Sequence, residues 1–202
     1  MIVSLLMLIV VLVLGVSLAN MSLQGEKSSR SDRDRQVALS AAEAAVKDAE
    51  LDIDPQGTPS ANSRGATFDP TSNIAFVAGC GSGTGNITQG LCAPAVVGTG
   101  KPIWQTVNLA DDSSNGISVA YGTFTGQTMV LSKASFPVKV PRYIIEAVPD
   151  IIPPGVADAG QAEYANDAKS GKKFLYRITA IGFGANLTTQ VVLQSFYRKA
   201  IN

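Results

Sequence analysis

The chain has 202 residues, enough for one compact domain plus an appendage, and its 16 basic and 16 acidic residues balance. That balance leaves no global field to attract nucleic acid or anionic lipid. Histidine is absent, which excludes Ser-His-Asp and Cys-His catalysis and the usual zinc sites, so an enzyme would need a carboxylate pair or a lysine base.

Met1 to Ala19 reads MIVSLLMLIVVLVLGVSLA, apolar except for Ser4 and Ser17 and without a charge. As a helix it spans roughly 28 Å, close to the hydrocarbon thickness of a bilayer. Leu, Ile and Val on every side exclude an ordinary amphipathic surface helix. Three readings compete: a cleaved secretory signal, a plain single-span anchor, and the stem of a polymerising subunit. Ser17-Leu18-Ala19 resembles a small-x-small cleavage site, but no positive residue precedes the apolar run, as a signal peptide requires.

The helix is expected to continue through residues 20–54 as an amphipathic second half. Glu26–Arg35 mixes charges of both signs, and QVALSAAEAAVKDAELDID from Gln36 is rich in strong helix formers. Leu39, Ala42, Val46, Ala49 and Ile53 recur at spacings of three and four, which predicts the seam that packs on a globular partner. Glu43, Lys47, Asp48, Glu50 and Asp52 fall on the other positions, with Glu43 and Lys47 forming an i,i+4 pair. Asp54-Pro55 ends the helix, because a residue before proline disfavours the α region. One helix from Met1 to Ile53 is about 80 Å long. A front half suited to lipid and a rear half suited to a protein partner is rare outside filament subunits.

Residues 55–202 form the head. Pro55–Lys101 is dense in Gly, Ser, Thr, Asn and Pro, and GCGSGTGNITQGLC places a loop between Cys80 and Cys92. One disulfide in an oxidising compartment is the expected state of this pair, with two buried free thiols as the alternative; no CxxC spacing supports redox catalysis. Strands are expected at PRYIIEAV (Pro141–Val148), FLYRITAIGF (Phe174–Phe183) and QVVLQSFYR (Gln190–Arg198), the last two joined by a hairpin at Gly184-Ala185-Asn186. Tyr176, Ile178 and Ala180 share one face, as do Val191, Leu193 and Tyr197. Fragments near Ile117–Phe124 and Met129–Leu131 are weaker strand candidates. The fold class is therefore α+β, an antiparallel sheet covered on its apolar face by the rear half of the helix. Asp150–Lys172 becomes a polar excursion between strands.

Three stretches resemble the PilX-like branch of the type IV minor pilins: IVSLLMLIVVLVLGVS followed by RDRQVALSAAEAAVKDAE, then PRYIIE, then FLYRITAIGFGANLTTQVVLQSFYRK. The resemblance implies a pilin-like fold and a structural role, priming pilus assembly beside other minor pilins and the major pilin and remaining at the tip. It further implies insertion in the bacterial inner membrane with the head in the periplasm, then residence in an extracellular pilus serving twitching motility, adhesion or DNA uptake. A tip adhesin is a further implied partner. Pilin precursors carry a basic leader cut after a glycine; none precedes Ile2 here, so it is expected upstream. Most pilins also place a glutamate near the mature N terminus, taken to pair with the terminal amine of the neighbouring subunit; here the first acidic residue is Glu26. That departure resembles the PilX-like branch and the tip pseudopilins of type II secretion. An isolated membrane-anchored binding or adhesion domain, or a type II secretion pseudopilin, stand as the alternatives.

Other constellations carry less. Asp111-Asp112-Ser113-Ser114-Asn115-Gly116 resembles a calcium loop, but the twelfth position is Gly122 rather than an acid, so a turn is expected. Asn86-Ile87-Thr88 and Asn186-Leu187-Thr188 match the glycosylation sequon by chance. Lys169, Lys172 and Lys173 read as a solvated loop rather than a DNA contact, and Trp104 and the tyrosines as core or subunit contacts. No catalytic residue, cofactor or metal site is expected.

Overall fold

A computed structural model describes residues 1–94, 101–131, 136–150 and 173–200, without the side chains of residues 18–20, 22 and 23. One uninterrupted helix, α1, runs from Ile2 to Ile53, 52 residues, and ends at Asp54. Strands β1 (Leu91–Cys92), β2 (Val119–Ala120), β3 (Arg142–Pro149), β4 (Phe174–Phe183) and β5 (Gln190–Tyr197) form one sheet in the order β1-β3-β4-β5, with β2 also on β3. A single helical turn, α2 (Ile103–Thr106), lies before β2.

The α+β class stands, with one correction to the sheet. β3, β4 and β5 are antiparallel throughout, pairing Arg142 with Ile181 and Phe183 with Gln190, but β1 runs parallel to β3 through Leu91–Ile145 and Cys92–Glu146. The sheet is mixed because its outer strand comes from the long loop segment rather than from a hairpin. Of the weaker strand candidates, Ile117–Phe124 contributes only Val119 and Ala120, and Met129–Leu131 is not a strand. Much of Asp150–Lys172 and part of Pro55–Lys101 lie outside the described residues, Lys169 and Lys172 among them.

The rear half of α1 crosses β4, β5 and β3, and its buried face takes in much of the predicted seam but is centred to one side of it. Ala42, Ala49 and Ile53 are fully buried, but Val46 is half-buried and Leu39 is 38% exposed. The buried positions Asp34, Ala38, Ala41, Ala45, Asp48 and Asp52 follow a strict four-three alternation. At 100° per residue this row, one residue earlier at each step, is turned about 100° from the predicted row Leu39, Ala42, Val46, Ala49 and Ile53. The reason is steric. Gly182 on β4 sits so close beneath the helix that a Cβ there would lie 2.2 Å from the Ala38 carbonyl oxygen and 2.3 Å from the Ala42 nitrogen. Only alanine-sized side chains fit at such a crossing, so the bulkier Leu39 and Val46 are displaced to its flank.

Against this face pack Tyr143, Ile145 and Ala147 from β3 and Tyr176, Ile178 and Ala180 from β4, all buried. Phe68 and Phe76 from the loops close the cluster against Tyr176, with ring centroids 5.5 and 5.7 Å away. The other face of the sheet is covered as well: Ile144, Ile181 and Phe183 pack with Leu109 and the two cysteines, and Ile103, Trp104 and Val107 lie partly buried against them. The segment around α2 is thus a third layer.

Candidate functional site

Two features distinguish the molecule: an apolar stem, and a set of aspartates that fix the head on the helix carrying it. The stem first. The side chains from Met1 to Ser17 are exposed, among them Leu5, Leu6, Leu8 and Ile9. Contiguous apolar exposure of this extent is unusual on a monomeric soluble protein. Among the described residues no helix is long and apolar enough to cross a membrane. Beyond the uncharged run the helix turns polar, with Arg30 paired to Glu26 at 2.5 Å on its solvated surface.

Three aspartates on the buried face then meet three separate parts of the head. Asp34 meets the β4–β5 hairpin: its carboxylate accepts from the backbone nitrogens of Ala185 and Asn186 and from Asn186 Nδ2. Burial pushes its pKa up, but hydrogen bonds from Thr189, Asn186 and Ala185 outweigh this and hold it below the ordinary aspartate value. Asp48 meets the loop after β2, accepting from the Gly122 nitrogen at 2.8 Å and from the Thr125 hydroxyl. Here burial wins over those two bonds, and with the nearby Asp52 charge it raises the pKa.

Asp52 makes the third junction, and it is the most enclosed. Arg64 and Asp52 form an ion pair with both side chains fully buried. Arg64 Nε lies 3.0 Å from both carboxylate oxygens and Nη2 lies 2.7 Å from Oδ2. Arg64 Nη1 donates to the carbonyls of Ile87 and Gln89 at 3.0 and 2.6 Å, and the guanidinium stacks 3.8 Å from the Phe124 ring centroid. The Tyr143 hydroxyl completes the set, donating to Asp52 Oδ2 at 2.9 Å. Burial first, and the aspartate charges second, raise its pKa well above that of a free phenol, so it remains a donor. One buried pair thereby joins α1, β3 and the loop of residues 80–92.

That loop is closed by the disulfide Cys80–Cys92, with Cα atoms 4.0 Å apart. It supplies the carbonyls of Ile87 and Gln89 to Arg64, while the buried Gln89 side chain donates to the Gly116 and Ser118 carbonyls. Replacing both cysteines with serine is expected to lower stability by about 3 kcal/mol, from the entropy a short closed loop removes from the unfolded chain. Limited proteolysis should then cut within residues 80–92 while α1 and the strands β3–β5 stay protected; an uncut loop or wholesale digestion would contradict this.

The remaining sequence candidates are dispersed. Asp111 Oδ1 accepts from the Ser113 nitrogen, and Asp112 pairs with Lys139 at 2.9 Å, a turn held by its own bonds. Among the described residues no group of three His, Cys, Asp or Glu side chains converges on a metal-sized space. Glu43 does not pair with Lys47, which instead reaches Glu50 at 3.0 Å. Asp48 and Asp52, assigned by spacing to the solvated side, are the largest departure. The signal for them was present: they share the four-three phase of Ala38, Ala41 and Ala45.

Two family models match the chain over most of its length. One, described as PilX N-terminal, matches residues 1–47, and the other, described as type IV pilus assembly protein PilX C-term, matches residues 57–199. No curated protein and no solved structure matches.

Proposed function

The chain belongs to the type IV pilus assembly PilX family, and we propose that this minor pilin caps the complex that primes its pilus. On this reading residues 1–19 are the membrane and polymerisation helix, 20–54 its amphipathic continuation, and 55–202 the periplasmic head. The protein waits in the inner membrane as a single-pass subunit and is then drawn into the filament beside other pilins. It acts structurally, without catalysis. Twitching motility, adhesion and DNA uptake are the pilus behaviours it would serve.

What supports the tip placement is the uncharged stem. A carboxylate taken into an apolar bundle is costly unless it finds a charged partner. A stem with no acidic residue before Glu26 neither needs nor offers such a contact toward the tip, so this subunit loses nothing by having no neighbour above it.

Photocrosslinkers placed singly at Val3 and Leu6, in cells assembling pili, test this. Adducts to other pilin stems on the lower side alone are the expected result. Capture of stems both above and below would place the subunit inside the shaft, and no pilin adduct at all would favour an isolated membrane-anchored binding domain.

A further inference from the structure

Strand β5 closes one side of the sheet, and no other strand among the described residues pairs with its outer edge. Gln190–Tyr197 pairs with β4 along its whole length, and among the described residues no backbone hydrogen bond reaches its other side. Alternate backbone N–H and C=O groups of an eight-residue strand therefore point away from the molecule. Proteins ordinarily blunt such an edge with a charge, a proline, a bulge or a covering loop. QVVLQSFY contains no charge, proline or glycine, and its pairing with β4 has no bulge. The opposite edge of the sheet is treated differently, being divided between the two-residue strands β1 and β2.

Both flanks of this edge offer places for side chains of an added strand. On the face away from the helix, Val192 and Phe196 are 49% and 60% exposed. On the helix side a groove of about 250 Å³ runs between α1 and β5, lined by Glu43, Val46, Lys47, Glu50 and Leu193–Ser195. Its charges do not balance. Lys47 is taken by Glu50, while Glu43 is exposed and makes no ion pair among the described residues. A second copy docking edge to edge about a two-fold axis would bring the same excess negative charge to the same seam, an unfavourable match.

We propose that β5 is a docking edge for an extended segment of a different protein, which adds to the sheet as a further strand. Its backbone pairs with the free side of Gln190–Tyr197, apolar residues at alternate positions rest on the two flanks, and a lysine or arginine meets Glu43. This interface lies on the head and holds whether or not the subunit occupies the pilus tip.

Amide hydrogen exchange of the full chain in detergent micelles provides the test. The probe is a capped nine-residue peptide of alternating valine and threonine with one central lysine. Its comparisons are the same peptide with glutamate in place of lysine and a backbone N-methylated form. The lysine peptide is expected to slow exchange across residues 190–197 at least tenfold, the N-methylated form to leave it unchanged, and Glu43→Lys to shift the preference to the glutamate peptide. Unchanged exchange with the lysine peptide, equal slowing by the N-methylated form, a preference unaffected by Glu43→Lys, or slowing that rises with protein concentration alone would each overturn the proposal; the last would seat a second copy on the edge.

Discussion

Replacing Arg64 with alanine will lower the stability of the head by about 3–5 kcal/mol, the range for breaking a buried ion pair by removing one partner. The loss has identifiable parts. Asp52 keeps a charge with no cation beside it and with only the Tyr143 hydroxyl donating to it. The carbonyls of Ile87 and Gln89 lose their buried donor, and the Phe124 ring loses the guanidinium stacked on it. For a head of this size the thermal midpoint should fall by roughly 6–20 °C. The double variant Asp52→Leu/Arg64→Met should recover part of the loss, because apolar replacement of both partners removes the unpaired charge, while the Ile87 and Gln89 carbonyls still lack their donor. Thermal and urea unfolding of Arg64→Ala, of Asp52→Leu, of Arg64→Met and of the double variant decide it. If the double variant is as unstable as the sum of the single changes, Asp52 and Arg64 are not acting as a pair.

This centre is also the part of the fold that local sequence signals do not carry. The long helix, its end at Asp54-Pro55, the β4–β5 hairpin and the Cys80–Cys92 pair are local signals, carried by residues close together in the chain. The inward faces of β4 and β5 follow the period of two in the same way. What the helix buries is not a local property. Its own residues allow two faces at four-three spacing, one through Leu39 and Val46 and one through Asp34, Ala38, Ala41, Ala45, Asp48 and Asp52. Hydrophobicity favours the first. The buried face is centred on the second, with Ala42, Ala49 and Ile53 of the first at its margin, because the sheet presents a glycine at the crossing and because donors elsewhere receive each aspartate: the hairpin backbone, the loop after β2, and Arg64.

The donors to Asp48 and Asp34 lie 74 and up to 152 residues away in sequence, and Arg64, only 12 residues from Asp52, sits in a segment that reads as loop. Long-range partners also explain the parallel β1 and the second cover over the sheet. β1 pairs through the disulfide-bearing segment, and Arg142 Nε donates to the Ser118 hydroxyl at 2.7 Å, which in turn donates to the Leu109 carbonyl of the second cover at 2.9 Å. Each depends on an irregular segment whose composition reads only as loop.

Gly182→Ala should strongly destabilise the packing of the helix on the sheet. Its added Cβ would meet the Ala38 carbonyl oxygen at 2.2 Å, the Ala42 nitrogen at 2.3 Å and the Ala42 Cα at 2.9 Å. All three are helix backbone, which cannot rotate aside as a side chain can. The helix must therefore lift from β4, opening space around Ala45 and Ala49 in the same layer and stretching the Asp34 contacts to the hairpin. Overpacking of this kind costs about 3 kcal/mol. Gly25→Ala is the matched control: it lies within α1 with no atom within 4 Å of the added carbon, and it should raise helix stability by up to about 1 kcal/mol. The two variants differ from the wild type by one methyl group each, yet their unfolding midpoints should move in opposite directions. Amide exchange should place the damage in Gly182→Ala along the hairpin and residues 34–45, with the Arg64 centre affected less. A neutral Gly182→Ala would mean that the helix and β4 are farther apart in solution, and that the alanine face is not held by close contact with this glycine.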